Sequence, residues 1–298
     1  MQVPTNQGHV SSETITLPEP FDWPWLLGFF AGHAVPGVEV VDDDSYARTL
    51  SLDHGPGALH LRQTGRTLVC TARTVDARDV PRAHERARRL LDLGSDPAVV
   101  DARLAADSVL APLVARRPGL RVPGYVDRFE VVVRTVIGQQ ISVAGACAIG
   151  GRVTAEHGAR YPHDGALTSV FPTPEALAAA DAETLPMPRA RGRALVRLAR
   201  AVADGEVDLE APVDEVRHNL VRLPGIGPWT ADYVAIRAFG ARDVFLPTDL
   251  GVRRSLARLG VEDEPTLVAH AWRPYRTYGL MHVWAALADP PTHRSEPR

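Results

Sequence analysis

The segment LPGIGPW (223–229) limits the fold more than any other stretch of the chain. Ahead of it, DEVRHNLVRL (214–223) carries apolar residues at helical spacing. PGIG (224–227) interrupts that period, and Pro228 suits the first turn of a new helix. A helix, a tight glycine turn and a second helix leave several backbone N–H groups unpaired where the second helix begins. Together with the positive end of the helix dipole, those donors suit an anionic oxygen, and glycine lets such a ligand approach the backbone closely. Turn geometry alone would call for the same glycines, so the motif by itself leaves both roles open.

The flanking chain has two textures. Residues 14–73 contain short β-branched and aromatic runs, VEVV (38–41), YARTLSL (46–52) and TLVCTART (67–74), separated by DDD (42–44) and HGPG (54–57). This pattern predicts an antiparallel sheet. WPWLLGFFAGHAV (23–35) has helical length and apolar bulk. Beyond Val80 the runs 87–94, 97–107, 128–158, 174–185 and 191–206 repeat Ala, Leu and Val at helical spacing, with Pro and Gly between them. The expected organisation is a flexible leader (1–12), an α+β unit (13–82), a helical domain (83–290) and a flexible tail (291–298). The helical domain would contain a hairpin (214–239) followed by a loop (240–249).

Several function classes are excluded by composition. No apolar run reaches the roughly 18 residues of a membrane helix, and MQVPTNQGHVSSE lacks the basic and apolar regions of a signal peptide. A cytoplasmic protein without membrane partners is expected. Cys70 and Cys147 are the only cysteines and form no C-x-x-C pattern, which argues against a disulfide scaffold, a zinc site or an iron–sulfur cluster. All 33 basic residues are arginine, so no side-chain amine is available for Schiff-base chemistry. The net charge of −3 argues against nucleic-acid binding by bulk electrostatics alone.

Asp249 follows Pro247 in PTDLGVRRSLARLG, ahead of a predicted short helix. It fits a helix N-cap, and the same dipole that rewards capping favours a negative charge there. Taken as a whole, LPGIGPWTADYVAIRAFGARDVFLPTD resembles the helix–hairpin–helix and catalytic-aspartate loop of the DNA glycosylase superfamily. FDWPWLLGFFAGHAV, YARTL, RPGLRVPGYVDRFE, VIGQQISVA, FPTPEALAAAD, RALVRLA, DVFLPTDLGVRR and WRPYRTYGLMHVW are similar, in that order, to AlkA-type alkylated-base glycosylases. The resemblance spans residues 21–284 and implies a small antiparallel-sheet domain followed by an all-helical helix–hairpin–helix glycosylase core.

The resemblance implies that the partner is double-stranded DNA, whose damaged nucleotide is flipped into a pocket. Gly225 and Gly227 would offer N–H groups to phosphates, with Thr230 at the following helix start. Val221, Leu223 and Ile226 would supply carbonyls to a monovalent cation, and no other cofactor is required. Gln140 falls where relatives wedge an aliphatic side chain into the duplex; its other role is a bond within the fold. Phe29, Trp229, Tyr233 and Trp284 match base-pocket positions, although each also suits a core. Aromatic faces attract cationic alkylpurines by about 0.5–2 kcal/mol. Leu250 stands where family members often carry an aromatic and so bears on the shape of the pocket. Arg253 and Arg254 suit either DNA contact or a solvated helix face.

Asp249 would stabilise the oxocarbenium-like sugar, orient water, or both. Bifunctional relatives carry a catalytic lysine where this chain has Trp229, so a monomeric, monofunctional enzyme is expected. Two alternatives remain: a glycosylase for deaminated bases, and a non-catalytic module that binds damaged DNA.

Overall fold

The computed structural model describes residues 8–162 and 165–288. The expected tail (291–298) and the first seven residues of the expected leader lie outside the described residues.

The leader gives way to structure at His9. Strand β1 (His9–Thr16) pairs along its whole length with a later strand, so residues 9–12 belong to the sheet rather than to a free leader. Next come helix α1 (Trp23–His33) and strands β2 (Glu39–Val41), β3 (Ser45–Leu52), β4 (Gly55–Thr64) and β5 (Thr67–Thr74). They form one antiparallel sheet in the order β1-β5-β4-β3-β2. β4 departs from the sequence expectation, because its opening Gly55 and Pro56 resemble a break. Here they begin a strand after the tight turn at Asp53–His54, with Gly55 at φ 136°.

Tyr46 and Leu50 of β3, Leu59 and Leu61 of β4, and Leu68, Cys70 and Ala72 of β5 alternate inward. They pack with Trp23, Leu26 and Phe30 of α1. Helix α2 (Val80–Leu90) adds Ala83, Ala87 and Leu90 to the same core, so the expected boundary after residue 82 runs through a helix that belongs with the sheet.

From α3 (Pro97–Leu104) and α4 (Ala111–Arg116) onward the described elements are helical. The expected run 128–158 divides into α5 (Arg128–Gly138) and α6 (Val143–His157). Ser142 caps α6 by accepting from the Gly145 amide at 3.1 Å, and Gln140 takes φ 58° in the break. Side-chain capping of this kind competes with helix continuation, which apolar periodicity does not register.

The remaining helices are α7 (Pro174–Ala178), α8 (Arg189–Ala203), α9 (Val213–Val221), α10 (Pro228–Phe239), α11 (Leu250–Arg258), α12 (Pro265–His270) and α13 (Arg276–Ala288). α7 covers only the first turn of the run expected over 174–185.

Two helical cores flank α10. Ala231, Val234 and Ala238 join one with α5, α8 and α9, whereas Ile236 enters the other beside Val252, Leu256, Trp272 and Leu280. The third stripe of α10, Trp229, Tyr233 and Arg237 at four-residue spacing, is only partly buried. With the other two faces buried, the Trp229 and Tyr233 rings lie at the edge of the second core and stay partly exposed.

A buried charge network joins sheet to helices. Arg48 of β3 donates to Glu39 of β2 at 3.4 Å and to Glu130 of α5 at 2.5 Å. Arg134 of α5 donates to both carboxylates at 2.9 Å and to the His33 carbonyl at the end of α1. Burial alone would raise the Glu39 pKa, but Arg134 and Arg48, with the Tyr46 hydroxyl, hold it below its ordinary value of 4.5. The network therefore fixes the end of α1 against the helical core.

Candidate active site and nucleic-acid interface

The hairpin has the form expected. α9 ends at Val221, Gly225 adopts φ 85°, and Gly227 precedes Pro228 at the start of α10. Gly225 is required twice over: its backbone is left-handed, and a Cβ there would lie 3.0 Å from the Ala194 methyl. Gly227 differs. It has ordinary extended angles (φ −95°, ψ 174°), and a Cβ there would meet nothing within 4 Å. The fold does not need this glycine.

The side chains of Leu223 and Ile226 are buried in the helical core, while Val221 is exposed. The Leu223 carbonyl accepts from the Ile226 amide at 3.2 Å, which tightens the turn. Thr230 lies in the first turn of α10, with its side chain turned inward. It is 3% exposed, and its hydroxyl receives Gln139 Nε2 at 3.1 Å. Gln139 also donates to the Gly225 carbonyl at 2.9 Å, cross-bracing the hairpin against the α5–α6 break. Gln140 is therefore presented at an exposed tip beside the hairpin, with Ile141 and Val143 exposed behind it.

Asp249 caps α11 through its Oδ1, which accepts from the Val252 amide at 2.9 Å and from Trp284 Nε1 at 3.0 Å. Its Oδ2 has no hydrogen-bond partner among the described residues. The capping role and a carboxylate oxygen left free of protein hydrogen bonds among the described residues thus coexist in one side chain. Gly251 keeps the arrangement open, since a Cβ there would come 3.0 Å from Asp249 Oδ1 and 3.4 Å from Trp284 Cδ1. Leu250, next in sequence, is 68% exposed.

An aromatic row leads from the hairpin to this carboxylate. Trp229 and Tyr233 stack at 5.3 Å, and Tyr233 and Trp284 lie 6.2 Å apart at 48°. Phe29 is brought alongside by α1, but its ring is already engaged. His33 stacks on it at 4.0 Å, and the Arg237 guanidinium lies 4.8 Å from its centroid. Arg237 also donates to the Tyr233 hydroxyl at 2.9 Å and to the Pro123 carbonyl at 2.7 Å.

Burial, Arg237 and then Arg134 push the His33 pKa down to about 4, so the ring is neutral near pH 7. Its Nδ1 is 2.8 Å from the Phe29 carbonyl, which only accepts, so Nδ1 carries the hydrogen and Nε2 the lone pair. Arg253 donates Nε to the Pro247 carbonyl at 3.0 Å and stays exposed, as does Arg254.

Arg237, His33 and Gln139 enter the site without a counterpart among the sequence expectations. Arg237 is detectable as the i+4 neighbour of Tyr233 on the stripe that starts with Trp229. His33 and Gln139 meet their partners only through tertiary packing.

Residues 14–127 match the AlkA N-terminal domain family, and residues 133–271 match the HhH-GPD superfamily base excision DNA repair protein family. The chain is 40% identical over 278 residues to a probable bifunctional transcriptional activator/DNA repair enzyme AlkA of Mycobacterium tuberculosis. That match takes in 91% of this chain and 56% of the relative, so the chain spans about half the relative's length. It is 38% identical over 280 residues to DNA-3-methyladenine glycosylase 2 of Escherichia coli, with 91% of this chain and 96% of that protein covered. Among solved structures, a 3-methyladenine DNA-glycosylase from Archaeoglobus fulgidus aligns with a TM-score of 0.80 at 25% identity, covering 92% of this chain and 97% of that one. With the two family segments in tandem and identity sustained across nearly the whole Escherichia coli relative, the chain belongs to the AlkA branch of the HhH-GPD superfamily.

Proposed function

We propose that the chain is a monofunctional DNA glycosylase of base excision repair, acting as a monomer in the cytoplasm on alkylated bases in double-stranded DNA. One observation carries this: Asp249 has one carboxylate oxygen held by Val252 and Trp284 and the other without a partner among the described residues, at the end of the Trp229–Tyr233–Trp284 row. A base flipped onto the row would leave its sugar near that oxygen.

As the C1′–N bond breaks, its electron pair leaves with the base, and an alkylated purine departs as a neutral molecule. Positive charge then develops on the sugar, and the Asp249 carboxylate stabilises it. Water adds to C1′ and gives up its proton, leaving an abasic site. The chain has no lysine, so no lysine-dependent strand cleavage follows. Gln140, with Ile141 beside it, would fill the vacated stack. Arg253 and Arg254 would add positive charge near the DNA. The carbonyls of Val221, Leu223 and Ile226, at the end of α9 and the turn beyond it, are neutral oxygens of the kind a monovalent cation takes. Such a cation would bridge the turn to a phosphate.

A second reading is favoured by Arg237. This fixed cation lies 4.8 Å from the Phe29 centroid and 5.8 Å from that of Tyr233, where it repels a cationic base and tolerates a neutral one such as hypoxanthine. Chromatography of bases released from methylated duplexes and from hypoxanthine-containing duplexes separates the two. Release of 3-methyladenine and 7-methylguanine with intact strands is the expected result. Release of hypoxanthine alone moves the substrate to deaminated bases. Binding without release from either duplex would refute the enzymatic reading.

Gly227→Ala tests the phosphate grip. The fold accommodates the methyl, so thermal stability stays within about 0.5 kcal/mol of wild type. Duplex affinity falls about tenfold, or ~1.4 kcal/mol, because the methyl stands between backbone and phosphate. Unchanged affinity by fluorescence anisotropy would remove Gly227 from the interface.

A further inference from the structure

Away from the Asp249 site, three side chains with metal-ligating atoms converge between the sheet and α2. Glu13 of β1 and Cys70 of β5 are direct cross-strand partners, so both side chains leave the sheet on one face. α2 brings His84 onto that face, and one ligand atom from each of the three residues lies within 4.8 Å of the others. Cys70 is fully buried and unpaired, and His84 is 9% exposed.

The hydrogen bonding leaves this cluster incomplete. Glu13 Oε2 receives Arg88 at 3.1 Å, and His84 Nε2 lies 3.4 Å from the Ser11 hydroxyl. The inward atoms, Glu13 Oε1 and His84 Nδ1, face each other at 3.3 Å, and both are buried without a hydrogen-bond partner among the described residues. In the tautomer whose Nε2–H donates to Ser11, Nδ1 turns a lone pair toward a carboxylate oxygen. Two acceptors then face one another across a space that also borders a thiol.

We propose that Glu13, Cys70 and His84 form a binding site for a zinc-type divalent cation that pins edge strand β1 and helix α2 to β5. Thiolate, imidazole and carboxylate together suit Zn²⁺ and not Mg²⁺ or Ca²⁺, which prefer oxygen donors alone. A tetrahedral ion with bonds of about 2.0–2.3 Å holds its ligand atoms about 3.3–3.8 Å apart, so closure needs movements of about an ångström. Water takes the fourth position. Ser11 fixes the imidazole tautomer, and Arg88 holds the far carboxylate oxygen.

On binding, the Cys70 S–H bond breaks, its proton passes to solvent, and a sulfur–metal bond forms as the ion sheds water. Burial, and then the charge of Glu13, push the thiol up to about 12, so metal and proton compete for the sulfur. The groups facing Cys70 are Glu13 and Ser11 from β1 and His84 and Arg88 from α2, with apolar Leu61 its cross-strand partner on β4.

The test is titration of the metal-stripped full chain with Co²⁺, a spectroscopic substitute for Zn²⁺. One equivalent should bind with thiolate-to-cobalt charge-transfer absorption and the d–d bands of a tetrahedral ion, and Zn²⁺ should displace it. The signal should vanish in Cys70→Ser and His84→Ala and persist in Cys147→Ser. Zn²⁺ should raise the melting temperature of wild type but not of Cys70→Ser. Base release by Cys70→Ser shows that the variant still folds. Absence of the charge-transfer band in wild type, or its persistence in Cys70→Ser, would overturn the proposal and leave a proton between His84 and Glu13.

Discussion

Replacing Asp249 with asparagine should lower the single-turnover rate of base release by roughly 10²–10³-fold, the usual loss when one electrostatic stabiliser of a transition state is removed. The substitution isolates charge from shape. An asparagine oxygen can still accept from the Val252 amide and from Trp284 Nε1, and asparagine caps helices about as well as aspartate. α11 and the indole should therefore stay in place, while the negative charge facing the developing sugar cation disappears. The rate of release from a methylated duplex, with enzyme in excess, is the measurement, paired with duplex affinity. Lost release at unchanged affinity is expected. Full release from the variant would remove Asp249 from the chemistry, whatever its position in the fold.

Arg48→Met should destabilise the protein by about 3–5 kcal/mol, the cost of removing one partner from a buried ion network. Arg48 is 3% exposed and donates to Glu39, Glu130 and the Thr49 carbonyl. Without it Arg134 alone faces two buried carboxylates, a net negative charge with no water to solvate it.

The pH dependence has a definite sign. The folded-state pKa of Glu39 is depressed, so its contribution is full above its unfolded value near 4.5 and is lost as pH falls through the folded value. The difference between wild type and Arg48→Met should therefore be largest near neutral pH and shrink below pH 4.5. Urea denaturation at several pH values checks both statements. A difference that does not change with pH would mean that the loss comes from packing and not from charge.

Arg134 links this network to the proposed site, since it also holds the His33 carbonyl at the end of the helix that carries Phe29. Weakening the sheet-to-helix junction should thus disturb one wall of the proposed base pocket without touching Asp249.

Short-range chemistry is legible in the amino-acid sequence. PGIG followed by Pro228 announces the hairpin because glycine and proline act on their own backbone, and the fold has Gly225 at φ 85° and Pro228 in the first turn of α10. β3 and β5 can be read from alternation. β4 cannot, because its Gly55 and Pro56 carry a turn signal that pairing with β3 overrides. The split between α5 and α6 is likewise hidden, since capping by Ser142 and the left-handed Gln140 leave the apolar period around them unbroken.

For this protein the sequence alone determined the hairpin, the helical and sheet textures, the aspartate and the absence of any lysine, all properties of residue type and local spacing. Only the tertiary structure decided what meets what. It put Thr230 inside against Gln139 and placed the Arg237 cation over the Phe29 and Tyr233 rings. It also joined Trp284 to Asp249 across 35 residues and gathered Glu13, Cys70 and His84 from three separate elements. Contacts between residues distant in sequence depend on how buried faces pack, and no local pattern encodes that geometry.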